Sequence, residues 1–360
     1  MATLVTGGAG FIGSALVARL LEEGERVTVL DDLSTAAPDW ADRLAGNVRF
    51  VRADAADRVA VREAVDGCER IVHLASSTDI AGGFGRPALD FRGCVVTTEV
   101  VCEVAQEAGV REMWLASSGV VYGRAVARPS PEDAGPLYPE SHYAAAKLAA
   151  EAILSGFANL YGWRSLIFRF GNTIGPGSDH GLVHDLVVKV LRDPRRVEIL
   201  GDGEQRKPYV HVDDLVDAML FAGRHAERAP VVTFNVGHPG TLSVRRVAEL
   251  VLDGLGVDGD AVEFAFLGPG PFGGGWPGDT PLVEFDVGRL ERLGWRPARA
   301  AEASVRQAAR EIAARYADGR RPLVTSIERN AARRSAAYRD GSAAPGASVT
   351  AAAMAGPQTR

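Results

Sequence analysis

The run Thr6-Gly-Gly-Ala-Gly-Phe-Ile-Gly13, preceded by the apolar Ala2-Thr-Leu-Val5, decides how this chain is read. A strand that enters a glycine-rich turn and leaves it as a helix opens a dinucleotide-binding βαβ unit. Gly7 and Gly8 permit the tight turn, and Gly10 lets a pyrophosphate approach the backbone. Gly13 allows the helix that starts at Phe11 and Ile12 to pack on the sheet, with its N-terminus at the phosphates. A second strand, Val27-Thr-Val-Leu-Asp31, ends in a carboxylate 18 residues beyond Gly13. An acid there accepts from both ribose hydroxyls and repels a 2′-phosphate, so the expected cofactor is NAD rather than NADP. Asp32 and Ser34 continue the same turn. Asp54, beyond the third strand, either accepts from the adenine amino group or caps the next segment.

Outward from this motif, short β-branched runs alternate with helical patterns. Ala2–Thr6, Arg26–Asp31, Val48–Val51, Arg70–Leu74, Glu112–Ser117 and Ser165–Phe170 read as strands. The alternation predicts an α/β fold: a Rossmann-like doubly wound parallel sheet over residues 1–170. After Gly171 the pattern loosens. An amphipathic stretch over Leu182–Leu191, short strands near Val197–Leu200 and Pro208–Val212, and helices after Asp213 and Ser243 predict a smaller mixed α/β substrate domain over 171–320. Some of its segments are free to return to the first sheet. Gly268–Gly278 holds six glycines and three prolines and reads as a loop near the ligand. Residues 321–360, rich in Ala, Ser, Arg and Gly, are expected to be a disordered tail, so removing the chain after about Val324 should change nothing.

Composition narrows the function classes. A 360-residue chain with 46% apolar residues can bury one large or two modest cores. Its net charge of -6, with acids and bases interspersed, leaves no footprint for nucleic acid or an anionic membrane. Cys68, Cys94 and Cys102 form no CxxC pair, which argues against a zinc site or disulfide framework. Without an export signal or an apolar run of ~18 residues, a cytoplasmic protein is expected. His184-Asp185 and His211 with Asp213-Asp214 do not present one coordination face, so no metal is expected, and Asp213 reads as a helix N-cap.

Tyr143 and Lys147 carry the chemistry. They stand about one turn apart in Ser141-His-Tyr-Ala-Ala-Ala-Lys147, so one helix face presents both, and an ammonium there can stabilise a phenolate and lower its pKa towards a working range. Beside a nicotinamide, this pair points to redox chemistry on an alcohol.

The chain resembles the extended short-chain dehydrogenase/reductases, and within them the sugar-nucleotide epimerase/dehydratase group. The resemblance rests on the glycine motif, Leu30-Asp-Asp-Leu-Ser34, His73-Leu-Ala-Ser76, Ser117-Ser-Gly-Val-Val-Tyr-Gly123, Tyr143-Ala-Ala-Ala-Lys147, Arg169-Phe-Gly-Asn172 and Gly201-Asp-Gly-Glu-Gln-Arg-Lys-Pro-Tyr-Val-His211. It implies that Tyr143 is the acid/base, that Lys147 holds the nicotinamide ribose, and that Ser118 bonds the reacting sugar oxygen. By residue type alone, the alternative is that Ser117 and Ser118 merely end the fifth strand and cap a turn. The resemblance also places Ala55, Leu74, Ala75, Ser76, Ser117 and Phe170 along the cofactor. It places Thr78, Asn172, Arg206, Lys207 and Asp279 at the substrate, although Asn172 unaided reads as a turn former. A nucleotide sugar, expected as UDP-linked, is the implied partner, and a homodimer through Val95–Ala108 and Ala144–Leu160 is the implied assembly.

Departures from the family pattern shape the expected reaction. Cys94 stands where an Asn is usual, Lys207 where an Arg usually grips the diphosphate, and the second diphosphate Arg is missing before Gly278-Asp279. Gly119 and Val120 follow Ser118 where a 4,6-dehydratase carries an Asp-Glu pair. The leading expectation is therefore an NAD-dependent UDP-hexose or UDP-hexuronic acid 4-epimerase. Its rivals are a 5,6- or 4,6-dehydratase, a 4-keto reductase or dehydrogenase, and a non-enzymatic NAD-sensing regulator.

Overall fold

The computed structural model describes residues 1–36, 40, 48–77, 86–124, 127–268, 275, 279–319 and 321–329. Thr78 and nearly all of the glycine- and proline-rich loop lie outside the described residues.

Seven strands form one parallel sheet: β1 (Ala2–Thr6), β2 (Arg26–Asp31), β3 (Val48–Arg52), β4 (Arg70–His73), β5 (Glu112–Ser118), β6 (Arg164–Phe170) and β11 (Val231–Val236), in the order β11-β6-β5-β4-β1-β2-β3. Leu4, Val5, Val29, Leu30, Ile71, Val72, Leu115, Leu166 and Phe168 are buried within it, the near-continuous apolar runs of a sheet covered on both faces. On one face, α1 (Phe11–Glu22) and α7 (Val212–His225) bury Leu16, Val17 and Leu20 with Leu215 and Met219. On the other, α2 (Arg58–Val65), α4 (Thr97–Ala108) and α5 (His142–Tyr161) bury Val61, Val101 and Leu154. A short α3 (Pro87–Asp90) enters α4 through a π-helical turn, Phe91–Val96. Strand order reverses between β1 and β4, which puts the ligand crevice beyond their C-terminal ends.

The remaining elements build a second apolar cluster from α6 (Leu182–Arg192), α8 (Val244–Leu255) and α10 (Ala301–Ala314) around β8 (Arg196–Ile199). Three small ladders complete it: β7 (Asn172–Ile174) with β10 (Tyr209–His211), β9 (Arg206–Lys207) with β12 (Leu242–Ser243), and β8 with β13 (Glu263–Phe266). The short α9 (Gly288–Leu293) packs against α7 and β11. β11 is the segment of 171–320 that rejoins the large sheet. A cavity of about 620 Å³ between α8, α10 and the chain's last described turn includes Leu191, Leu255 and Tyr316 in its lining but none of the expected site residues.

Two sequence expectations are corrected. The cap of α7 is His211, whose ring accepts from the Asp213 N–H at 3.3 Å, while Asp213 lies in the first turn. The unstructured tail expected from residue 321 does not begin there. Ser326 donates from N and Oγ to Asp185 at 2.7 and 2.5 Å, Glu328 pairs with Arg192 at 2.7 Å, and Arg329 pairs with Asp179 at 2.8 Å. Three polar partners, Asp185, Arg192 and Asp179, hold this stretch where apolar surface is scarce, which is why composition alone missed it.

Candidate active site

At the C-terminal end of β1 the chain turns through Gly7 at φ 71°, where an added Cβ would lie 2.7 Å from the Ala75 nitrogen. A Cβ on Gly13 would meet the Gly7 carbonyl at 2.1 Å. Only glycine lets strand, turn and helix close this tightly. The helix α1 starts at Gly10 with no side-chain cap, so the first-turn N–H groups of Phe11, Ile12 and Gly13 are open to an anion. Asp31 Oδ2 accepts from Ala9 N at 3.0 Å and its Oδ1 from Leu33 N at 2.8 Å. Leu33 is held at φ 64°, strained for a leucine, so the turn is fixed around this carboxylate. Burial raises the Asp31 carboxyl, and the two backbone N–H bonds counter it. Ser34 N–H donates to Asp32 at 2.8 Å. Asp54 accepts from Ala56 N at 2.8 Å and from Arg92 at 2.7 Å, so it both caps its turn and ties it to the π-helical segment. An uncapped helix, a glycine cradle and an acid at the end of β2 fit a dinucleotide.

The expected catalytic residues meet where β5 ends beside α5. Ser141 caps α5, its Oγ accepting from Ala144 N at 3.1 Å, which sets Tyr143 and Lys147 in the first turns. Tyr143 hydrogen-bonds Ser118. Lys147, 5% exposed, donates from Nζ to the Ala116 carbonyl at 2.8 Å and lies 5.8 Å from the Tyr143 ring centre. In the protein alone, burial pushes the Tyr143 phenol up, Cys94 and Asp90 add to that, and the Ser118 bond pulls it down. The phenol is thus raised, where the Lys147 spacing predicts a lowering. The same burial lowers Lys147, with Cys94, Glu151 and Asp90 holding it up.

Of the other expected cofactor residues, Ala55 and Phe170 are buried, and Leu74 packs against the core beneath β4. Ala75 N donates to Thr6 Oγ1 at 3.3 Å, and the Ser76 hydroxyl lies 3.2 Å from Cys94 Sγ. Cys94 thus shares a hydroxyl contact where an amide was expected. Ser117 turns its hydroxyl to Glu151, leaving only its backbone for a ligand. At the substrate end, Asn172 starts β7 and bonds Tyr209. Lys207 Nζ pairs with Asp279, whose second oxygen accepts from Gly275 N at 3.0 Å. Arg206 instead reaches Thr241, at 3.0 and 3.2 Å, on the exposed side. The structure therefore brings Lys207 and Asp279 together and leaves Arg206 apart.

Two groups escaped sequence reasoning. Glu151, one turn beyond Lys147, receives Ser117 and the Arg169 guanidinium at 3.0 and 2.8 Å. Arg169 lies 4.8 Å from the Tyr122 ring, and Tyr122 donates to Asn235 at 2.7 Å, so a buried polar chain ties β5, β6 and β11 together beneath Ser118. The spacing Tyr143, Lys147, Glu151 was the available signal. The second group is Asp90, 1% exposed at the end of α3, which with the π-helical turn packs on α5.

A glycine cradle for a dinucleotide beside a Tyr/Lys pair defines a nicotinamide-dependent enzyme of α/β class. The model of the NAD dependent epimerase/dehydratase family matches residues 3–237, and the chain belongs to that family. It is 37% identical over 305 residues to UDP-glucose 4-epimerase of Mycolicibacterium smegmatis, covering 82% of this chain and 94% of that protein. It is 32% identical over 279 residues to dTDP-glucose 4,6-dehydratase of Streptomyces antibioticus, covering 73% and 80%. The solved UDP-glucose 4-epimerase of Thermus thermophilus, in complex with NAD, superposes with a TM-score of 0.76 at 29% identity, covering 87% and 99%. The protein is an NAD-dependent enzyme of the sugar-nucleotide group. Among the described residues, no helix is long and apolar enough to cross a membrane.

Proposed function

We propose that the protein is a nucleotide-sugar 4-epimerase acting on a UDP-hexose or UDP-hexuronic acid. The observation that carries this reading is the bareness, among the described residues, of the site around Ser118 and Tyr143. Gly119, next to Ser118, is pressed against Phe285, where a Cβ would lie 2.3 Å from the ring, so no acid or base fits at that position. Asp90 is too deeply buried to reach a sugar. Elimination of water needs a second positioned acid and base; epimerisation does not.

In this reading bound NAD supplies a reversible hydride acceptor. Tyr143 takes and returns the proton of the sugar's C4 hydroxyl, and Ser118 shares that proton while orienting the oxygen. Lys147 holds the nicotinamide ribose and, pinned to the Ala116 carbonyl, keeps a positive charge beside the phenol. Asp31 holds the adenosine ribose, Asn172 and Lys207 the sugar-nucleotide diphosphate, and Asp279 orients Lys207. Two copies pairing through α4 and α5 belong to the same reading, and Leu160 on α5 is exposed.

The test is product mass. UDP-glucose, UDP-N-acetylglucosamine and UDP-glucuronic acid are incubated with the holoenzyme and the products resolved by mass and NMR. An epimer of unchanged mass, without accumulating NADH, is expected. Product lighter by one water would place the protein with the dehydratases, and accumulating NADH with the dehydrogenases.

A further inference from the structure

The stretch 321–329 lies beyond the family's matched residues and grips a loop that borders the cofactor cradle. That loop, 175–181, runs from β7 to α6. Its Gly177 lies against the Phe11 ring, and a small pocket bounded by Ala9, Gly10, Phe11 and Ser14 has Gly177 and Asp179 as its far wall. Asp179 therefore lines the same small pocket as the N-terminus of α1, where an anionic pyrophosphate is expected. An unmasked negative charge there opposes the ligand the helix end attracts.

Arg329 answers this charge. Its guanidinium bonds both the carbonyl and the carboxylate of Asp179, the latter at 2.8 Å. The rest of the stretch fixes Arg329: Ser326 on Asp185, and Glu328 both on Arg192 and back onto Thr325 N at 2.8 Å. Arg315 holds the same loop through the Ser178 carbonyl at 2.8 Å. The charged groups that face Asp179 are His180, at 2.9 Å, His184 and Arg329. A histidine is cationic only when protonated, whereas the arginine keeps its charge at any working pH. Burial tends to raise the Asp179 carboxyl, but the His180 bond and these cations together hold it down at about 2.

We propose that Arg329 is a positioning residue for the cofactor: it masks the Asp179 charge beside the glycine loop and so slows the release of NAD. The clamp acts on the cofactor alone, so it stands whichever sugar the enzyme uses.

The experiment follows NAD leaving the full-length holoenzyme at pH 8, trapped as it is released by excess alcohol dehydrogenase and ethanol. Arg329→Ala should speed release roughly tenfold, the scale of one charge–charge term in a partly screened site. Asp179→Asn added to Arg329→Ala should bring release back to within about threefold of the native rate, because the charge to be masked is gone. Unchanged release in Arg329→Ala overturns the proposal. So does equally fast release in the double variant, which would mean that the stretch acts as a tether and not through Asp179. Melting temperature is read alongside; if Arg329→Ala unfolds, Arg329→Gln replaces it with the same two outcomes.

Discussion

Asp31 and Lys207, which the proposed function sets against the cofactor and the substrate, carry opposite charges, and they are held in different ways. Asp31 ends a buried strand and is fixed by two backbone N–H groups, from the glycine loop and from its own strained turn. Lys207 lies on a two-residue ladder and is fixed by another side chain, Asp279, across a long sequence separation. Backbone support gives Asp31 one rigid geometry, as the proposed binding of one unchanging cofactor requires. Side-chain support of Lys207 is adjustable by substitution, as its proposed contact with a variable substrate would allow. Loss of the Tyr143 phenol should show in chemistry, and loss of the Lys207 cation in affinity.

The largest effect expected is from Tyr143→Phe. Loss of a positioned acid/base should lower kcat by at least ~10²-fold. NAD binding, measured by fluorescence titration, should stay within about threefold of native, because the ring and Lys147 remain. Near-native turnover in this variant would remove the phenol from the mechanism.

Next comes a contrast within the substrate end. Lys207→Ala leaves the buried Asp279 carboxylate without its cation and should raise the KM for UDP-sugar about tenfold, with a lower melting temperature. Arg206→Ala removes an exposed bond to Thr241 and should move KM by less than about twofold. Equal effects would show that both cations reach the diphosphate, and the distinction drawn between them would fall.

How far the sequence foretold the structure follows the same division. The strands of the large sheet, the glycine turn, Asp31 and the Tyr143/Lys147 face were legible because each depends on residues close in sequence: a period, a turn, one helical repeat. The pairing of Lys207 with Asp279, the chain from Ser117 through Glu151 and Arg169 to Asn235, and the docking of Ser326 and Arg329 all join residues far apart in the chain. No local pattern reports such pairs. Asp90 is the sharpest case. The structure leaves its neighbours Leu89 37% and Phe91 58% exposed and buries Asp90 to 1%. Only the packing of α3 and the π-helical turn on α5 decides which side is the interior.

That inverted residue gives the smallest prediction and the most specific one. Asp90 raises the Tyr143 phenol and holds up the Lys147 ammonium, since an anion disfavours a second anion and favours a cation. The groups that bear on the phenol are Cys94, Asp90 and the Ser118 hydroxyl, with Lys147 on the next turn. Activity that needs the phenolate rises with pH through the Tyr143 pKa. Asp90→Asn keeps the shape and removes the charge, so that pKa should fall and the rising limb of kcat/KM should move to lower pH by about half a unit to one unit. Lys147 becomes easier to deprotonate in the same variant, so the upper limb should also move down and the bell should shift as a whole. A residue that only fills space would change the melting temperature and leave both limbs where they were. An unmoved profile in a folded Asp90→Asn protein would therefore reduce Asp90 to packing, and the electrostatics of the catalytic pair would have to come from the cofactor and α5 alone.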